Sequence, residues 1–265
     1  MGLTNFVARN IRQVLSGGYA GPGTRIAFIH VPKCGGSSLT VALKTAVGLG
    51  VQIPGRGNAV LAHEAASRTA GVLERDYNGF CADLLLYYLA DHRLRFIAGH
   101  WPVRSAAFEE FSGEWDFVFL LRNPVRRWLS NYFFNRYKTG DHYRIDQELD
   151  DFLETYRARW YGCAYVAYLA PDDFSYGDDP SDAPIEKAVA RLQRFRIVGT
   201  LEHLDSMAER FRRIYGARLN IPHANPNPRG KTYVQRDVTP EQRERIERLC
   251  GPDMRIYREA LDMAR

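Results

Sequence analysis

The feature that most narrows the fold lies between residues 26 and 47. Ile26-Ala27-Phe28-Ile29 is an apolar run that reads as a buried strand. Pro32 ends it, and Gly35 and Gly36 then permit a tight turn in which backbone N–H groups approach a ligand closely. Leu39, Ala42, Leu43, Ala46 and Val47 follow at helical spacing. Strand, glycine turn and helix together make an anion site, because the orphan N–H groups and the dipole of a helix N-terminus both favour phosphate-like groups. Its candidate binding residues are Lys33, Cys34, Gly35, Gly36, Ser37 and Ser38. A nucleoside-triphosphatase loop carries its lysine after the last glycine. Here Lys33 precedes both glycines, which argues against that chemistry.

Strand and helix signals alternate through the rest of the chain. Arg95 to His100 reads as a second strand ending in a histidine, Phe117 to Leu121 as a central parallel strand, and Ile197-Val198-Gly199 as a short further one. Asn123 is placed to cap a helix with Pro124 at its first position. Val125, Trp128, Leu129, Tyr132 and Phe133 give that helix one core-facing stripe and leave Arg122, Arg126 and Ser130 off it. Residues 3–15 suggest an amphipathic helix followed by a loop, peripheral up to residue 24. Residues 51–79 are dotted with glycine and assign themselves to no element; 146–170 read as one or two aromatic-rich helices. Thr239-Pro240-Glu241-Gln242 is a capping box that opens the terminal helices. The pattern predicts one α/β domain across residues 1–265, a parallel, doubly wound sheet with helices on both faces.

Composition restricts the partners. A formal charge of +5 suits a small polyanion or an acidic glycan better than bulk nucleic acid, and no basic run is present. Cys34, Cys81, Cys163 and Cys250 are far apart, without a C-x-x-C, which argues against zinc, a redox pair or a disulfide framework. Cys34 reads as a small residue packed under the turn rather than a nucleophile. The acidic stretch Pro171 to Pro184 lacks EF-hand spacing and reads as a solvated loop, so no metal is expected. Arg68 and Arg75, near His63-Glu64, are candidates to face an acidic acceptor, with solvated surface charge the stronger reading. No apolar stretch approaches the ~18 residues of a membrane span.

The second informative stretch is Phe119-Leu120-Leu121-Arg122-Asn123-Pro124-Val125-Arg126-Arg127-Trp128-Leu129-Ser130. Arg122 projects from a strand's carboxyl end, where open α/β sheets bind ligands, and Ser130 sits two turns into the following helix. Together with the Lys33 loop, this stretch resembles the sulfotransferases that use 3′-phosphoadenosine 5′-phosphosulfate (PAPS). The likeness is to the carbohydrate group that includes the heparan and uronyl 2-O enzymes. In that family an arginine at a strand end, a proline two later and a serine eight later hold the 3′-phosphate; Arg122, Pro124 and Ser130 match. The likeness is good over residues 25–135 and loose over 195–260.

The resemblance implies a P-loop-kinase-like sulfotransferase fold. It also implies transfer of a sulfuryl group from PAPS to an acceptor hydroxyl, expected on a carbohydrate. His100, in Gly99-His100-Trp101-Pro102, is by that resemblance the general base, with an imidazole pKa suited to the task. His30 is its rival, although its place in the first strand favours a structural role. Lys33 would stabilise charge on the leaving phosphate. Val198 to Leu204 resembles a family segment near the nucleotide, and Arg229 and Lys231 would close over the adenosine phosphates. Two alternatives stand: a kinase using ATP, and a non-catalytic nucleotide-binding protein on the same fold. The lack of a secretory pattern or anchor suggests a bacterial cytoplasmic protein, or a Golgi lumenal one from which an anchor was removed.

Overall fold

The computed structural model describes residues 20–21, 23–48, 57–141, 143–174, 180–222 and 238–264. The elements run in chain order as β1 (Ile26–His30), α1 (Gly36–Ala46), β2 (Gly57–Val60), α2 (His63–Val72), α3 (Tyr77–Ala90), β3 (Leu94–Gly99), α4 (Ser105–Phe111), β4 (Asp116–Leu121) and α5 (Pro124–Tyr137). There follow α6 (Leu149–Leu153), α7 (Tyr156–Gly162), α8 (Ala164–Leu169), α9 (Asp182–Leu192) and β5 (Ile197–Thr200). A 3₁₀ turn (Leu201–His203) leads to α10 (Leu204–Tyr215), and α11 (Pro240–Leu249) and α12 (Gly251–Ala264) complete the chain. The N-terminal helix expected over 3–15 lies outside the described residues.

The five strands among the described residues are all parallel, in the order β2-β3-β1-β4-β5. β1 and β4 occupy the middle because their side chains bury on both faces: Ile26 to Ile29 and Val118 to Leu121 are wholly inaccessible. The chain crosses from β1 to β2 in one direction and from β2 onward to β3, β4 and β5 in the other. Right-handed crossovers therefore place α1 on one face and α2, α3, α4 and α9 on the opposite one. This is the doubly wound arrangement expected. The stretch 51–79, which showed no pattern, contains strand β2 and helix α2.

α5 forms as its sequence predicts. The Asn123 side chain accepts from the N–H of Arg126 at 3.1 Å, and Pro124 stands at the first position. Its stripe of Val125, Trp128, Leu129, Tyr132 and Phe133 is buried, but not on the sheet. It meets Ile145, Leu149, Phe152, Ala158, Tyr161 and Ile246, a second core shared with α6, α7 and α11. The expected one or two helices over 146–170 are three short ones. Thr239 closes the capping box with Gln242 at the head of α11. No helix among the described residues is long and apolar enough to cross a membrane.

Candidate active site

Strand order reverses between β1 and β4, since one chain leaves leftward and the other rightward. The crevice at their carboxyl ends is where open α/β sheets bind ligands. Register sets what meets there. His30 pairs with Leu120, so Arg122 stands level with the turn after β1. Ile29 pairs with Gly99, which brings His30 and His100 side by side. Leu121 pairs with Thr200, placing Glu202 opposite Asn123.

The turn after β1 closes when the N–H of Cys34 donates to the carbonyl of Val31 at 3.3 Å. Pro32 occupies its second position and Lys33, at φ 72°, its third. That is the type II pattern, which ordinarily takes glycine at the third position. A lysine held there costs about 1–3 kcal/mol, and such strain gathers at ligand clamps. Gly35 caps α1 at φ 83°, ψ 17°, with no side-chain cap and no acidic residue in the helix's first turn. A Cβ on Gly35 would lie 2.6 Å from Cδ1 of Leu201, so the segment after β5 packs directly on the anion loop. Gly35 and Ser37 are exposed and Ser38 is half-buried, whereas Gly36 is buried. The Cys34 thiol is also buried, and burial pushes it up to about 11. Only its backbone can face a ligand, in keeping with a packing role.

Two cations converge on this turn. Arg122 Nη1 donates to the carbonyl of Lys33 at 3.0 Å. The Lys33 ammonium lies 3.7 Å from the ring centre of Phe134 on α5. Burial, and then the nearby Arg122 charge, lower Lys33 to about 8; burial lowers Arg122 as well. Among the described residues neither has a carboxylate at ion-pair distance. Ser130 is half-buried and lies one turn before Phe134 on the face of α5 that also carries exposed Arg126. The structure thus brings Arg122 to the Lys33 turn, and Ser130 stands one helical turn from the Phe134 ring that the Lys33 ammonium overlies. Arg229 and Lys231 lie outside the described residues.

On the other side of β1 three histidines cluster, His30 edge-on to His100 and His63 tilted against it. His100 Nδ1–H donates to the carbonyl of His30 at 2.7 Å, which leaves Nε2 as the ring's proton acceptor. The His100 ring centre lies 4.5 Å from that of His30 and 4.9 Å from that of His63, and His63 Nδ1 shares a 2.7 Å hydrogen bond with the Tyr77 hydroxyl. Burial, with smaller repulsion from His63 and Lys33, lowers His100 to about 4. This corrects the expectation of an imidazole titrating near neutrality: His100 is neutral at working pH because charging it would cost desolvation. His30 is wedged between Phe28 and His100, a structural place.

Of the further residues that shape the site, Glu202 lies in the Val198 to Leu204 segment and Arg127 in the Phe119 to Ser130 stretch, whereas nothing in the sequence marks Tyr165. Glu202 accepts from the N–H of Asn123 at 3.1 Å and from the Tyr257 hydroxyl at 3.0 Å, fixing the start of α5. The Tyr165 hydroxyl bonds to both backbone groups of Arg122. Arg127, next to the exposed Arg126, is wholly buried and pairs with Asp253 of α12 at 3.3 Å. Arg75 is paired with Asp83, so its charge is already answered, while Arg68 is exposed. Among the described residues no group of three or more His, Cys, Asp or Glu side chains is placed to hold a metal ion.

No protein-family model matches the chain, and no curated protein matches it. Among solved structures, the crystal structure of mouse sulfotransferase SULT7A1 complexed with PAP is similar over 92% of this chain and 70% of that one, at 13% identity and a TM-score of 0.37. A likeness of that degree bears on neither activity nor ligand.

Proposed function

We propose that the protein is a sulfotransferase that moves the sulfuryl group of PAPS to an acceptor hydroxyl, the acceptor being a carbohydrate. One observation carries the reading: two partly buried cations, Lys33 and Arg122, come together at the head of a helix without a side-chain cap, and among the described residues neither is ion-paired with a carboxylate, Glu202 acting on Arg122 only from longer range. An arrangement of that kind favours an anion with more than one charged group. The motif resemblance then distinguishes a 3′,5′-substituted nucleotide from a triphosphate.

In this reading His100 Nε2 takes the proton of the acceptor hydroxyl. The hydroxyl oxygen forms a bond to sulfur as the bond from sulfur to the bridging phosphate oxygen breaks. Lys33 and the N–H groups at the head of α1 stabilise the charge that builds on the leaving phosphate, and 3′-phosphoadenosine 5′-phosphate (PAP) departs. Arg122 and Ser130 hold its 3′-phosphate. Neutral His100 starts in the form that accepts a proton.

A thermal-shift panel tests the proposal. PAP should raise the melting temperature more than ATP with magnesium does. Greater stabilisation by ATP with magnesium would point to phosphoryl transfer instead, and no effect of any nucleotide would remove the site's proposed ligand.

A further inference from the structure

The backbone of Arg122 lies just beyond the reach of the sheet. β1 pairs with β4 as far as Leu120, and β5 as far as Leu121. The N–H and C=O of the next residue therefore need partners from elsewhere. One atom supplies both. The Tyr165 hydroxyl accepts from the Arg122 N–H at 2.9 Å and donates to the Arg122 carbonyl. The same oxygen lies 3.6 Å from Sγ of Cys34, inside the anion turn. One side chain of α8 thus touches both halves of the crevice from beneath.

Tyr165 is itself held from behind. Its N–H and that of Val166 donate to Asp253 at 2.9 and 3.3 Å. Asp253 lies 3.3 Å from the guanidinium of Arg127, which stands 5.2 Å from the Tyr165 ring centre. The tyrosine is wholly buried, so no ligand reaches it. Burial also keeps the hydroxyl protonated, so it has a proton to donate.

We propose that Tyr165 is a positioning residue, which aims the Arg122 guanidinium at the second phosphate and so sets the preference for a 3′,5′-bisphosphate over a 5′-monophosphate. The inference rests on the reading of the crevice as a PAPS site. A residue with both backbone polar groups tied has a fixed Cα–Cβ direction, and the guanidinium starts from there. Freed of the hydroxyl, the peptide at Arg122 can rotate, and the 3.0 Å bond from its Nη1 to Lys33 can no longer hold the group in one place.

Calorimetry of the wild type and of Tyr165→Phe, each with PAP and with adenosine 5′-phosphate, tests this. Phenylalanine keeps the ring and removes only the hydroxyl. The wild type should prefer PAP, and the variant should lose about tenfold or more of that preference, the scale of one charge-assisted contact. Its affinity for adenosine 5′-phosphate should stay within about twofold. An intact preference in Tyr165→Phe, or an equal loss for both nucleotides, overturns the proposal. A wild type without any preference fails one step earlier: the PAPS reading falls and takes this role of Tyr165 with it. Should Tyr165→Phe not fold, hydrogen exchange on the wild type decides. PAP, but not adenosine 5′-phosphate, should slow exchange in the peptide spanning 163–170. Equal slowing by both, or by neither, overturns the proposal.

Discussion

The guanidinium of Arg122 and the carbonyl of Lys33 meet at 3.0 Å, tying the end of β4 to the turn that follows β1. That bond braces a lysine held at φ 72° and keeps two positive side chains near each other in a crevice that desolvates both. Like charges arranged this way are costly until an anion arrives. The cost also explains the resting place of the Lys33 ammonium over the face of Phe134, where the ring's quadrupole offers partial compensation.

Lys33→Ala should lower turnover of PAPS by roughly 10²–10³-fold, the scale for removing one preorganised charge-stabilising group. The fold should persist, because the side chain reaches only a ring that is itself exposed. Release of PAP with a mixed polysaccharide acceptor reads the effect, with circular dichroism as the control. Near-normal turnover in a folded variant would remove Lys33 from the chemistry.

Lys33 also makes a thermodynamic prediction. Its ammonium titrates near 8 in the free protein, lowered by burial first and by Arg122 second. A bound phosphate favours the charged form and raises that value again. At pH 8 the complex therefore holds more protons than the free protein, and PAP binding should take protons up. Calorimetry in buffers of differing ionisation enthalpy measures this, and proton release would contradict it. Lys33→Ala should abolish the uptake.

Arg122→Ala and Ser130→Ala should each weaken PAP binding far more than binding of adenosine 5′-phosphate, because their assigned contacts go to the 3′ group alone. For Arg122 the loss should be about tenfold or more, as expected for a charge-assisted contact; the serine hydroxyl should cost less. Equal losses with the two nucleotides would place both side chains elsewhere.

What was legible in the sequence followed from local physics. β1 and β4 are continuous apolar runs because both of their faces are covered, and the Asn123 and Thr239 caps were visible as short motifs. β2 was not, because Gly57 and Asn58 are poor strand formers and the strand lies at the sheet's edge. The stripe on α5 announced a buried face but could not say what would cover it; periodicity is silent about neighbours. Tyr165 and Glu202 act across 43 and 79 residues, through hydroxyl and carboxylate contacts to backbone that no spacing rule encodes. The lowered titration of His100 is illegible for the same reason, since desolvation belongs to the fold and not to the residue.

His100 ties pH to both activity and stability. Burial brings it from 6.5 to about 4. If it is the base, the acid limb of kcat/KM should fall near pH 4 rather than near 6.5, since kcat/KM reports the free enzyme. His100→Gln should cut turnover by ~10²–10⁴-fold and abolish the limb, with PAP affinity little changed. For stability the sign follows from proton counts. Between about 4 and 6.5 the unfolded chain carries a proton on this histidine that the folded chain lacks, so unfolding is favoured as pH falls through that window. Buried His30 is lowered too and acts in the same direction. Asp253, pushed up to about 7 by burial, acts in the opposite direction and is common to both proteins, so the difference is what is read: from pH 7 to pH 4.5 the urea midpoint of the wild type should fall relative to that of His100→Gln. A difference between the two midpoints that stays constant over that range would show that the His100 ring is not desolvated as described.

The last prediction concerns the packing that holds the anion loop. A Cβ on Gly36 would lie 1.8 Å from Cδ2 and 2.0 Å from Nε2 of His30. The imidazole cannot swing aside, because it is stacked on Phe28 at 4.9 Å and set edge-on to His100 at 4.5 Å. Gly36→Ala should therefore destabilise by about 1–3 kcal/mol, the usual cost of overpacking. It should also weaken PAP binding, since relief of the clash must move the head of α1. His30→Ala removes the obstacle and, with it, a buried Nδ1 that has no hydrogen-bond partner among the described residues. Alone it should destabilise through the cavity it leaves. Combined, the two alanines should be clearly less harmful than the sum of their separate effects, with a coupling of about 1 kcal/mol or more for side chains that share one space. Urea unfolding of the four proteins closes the cycle. Strict additivity would mean that glycine is needed at position 36 for a reason other than the histidine beneath it.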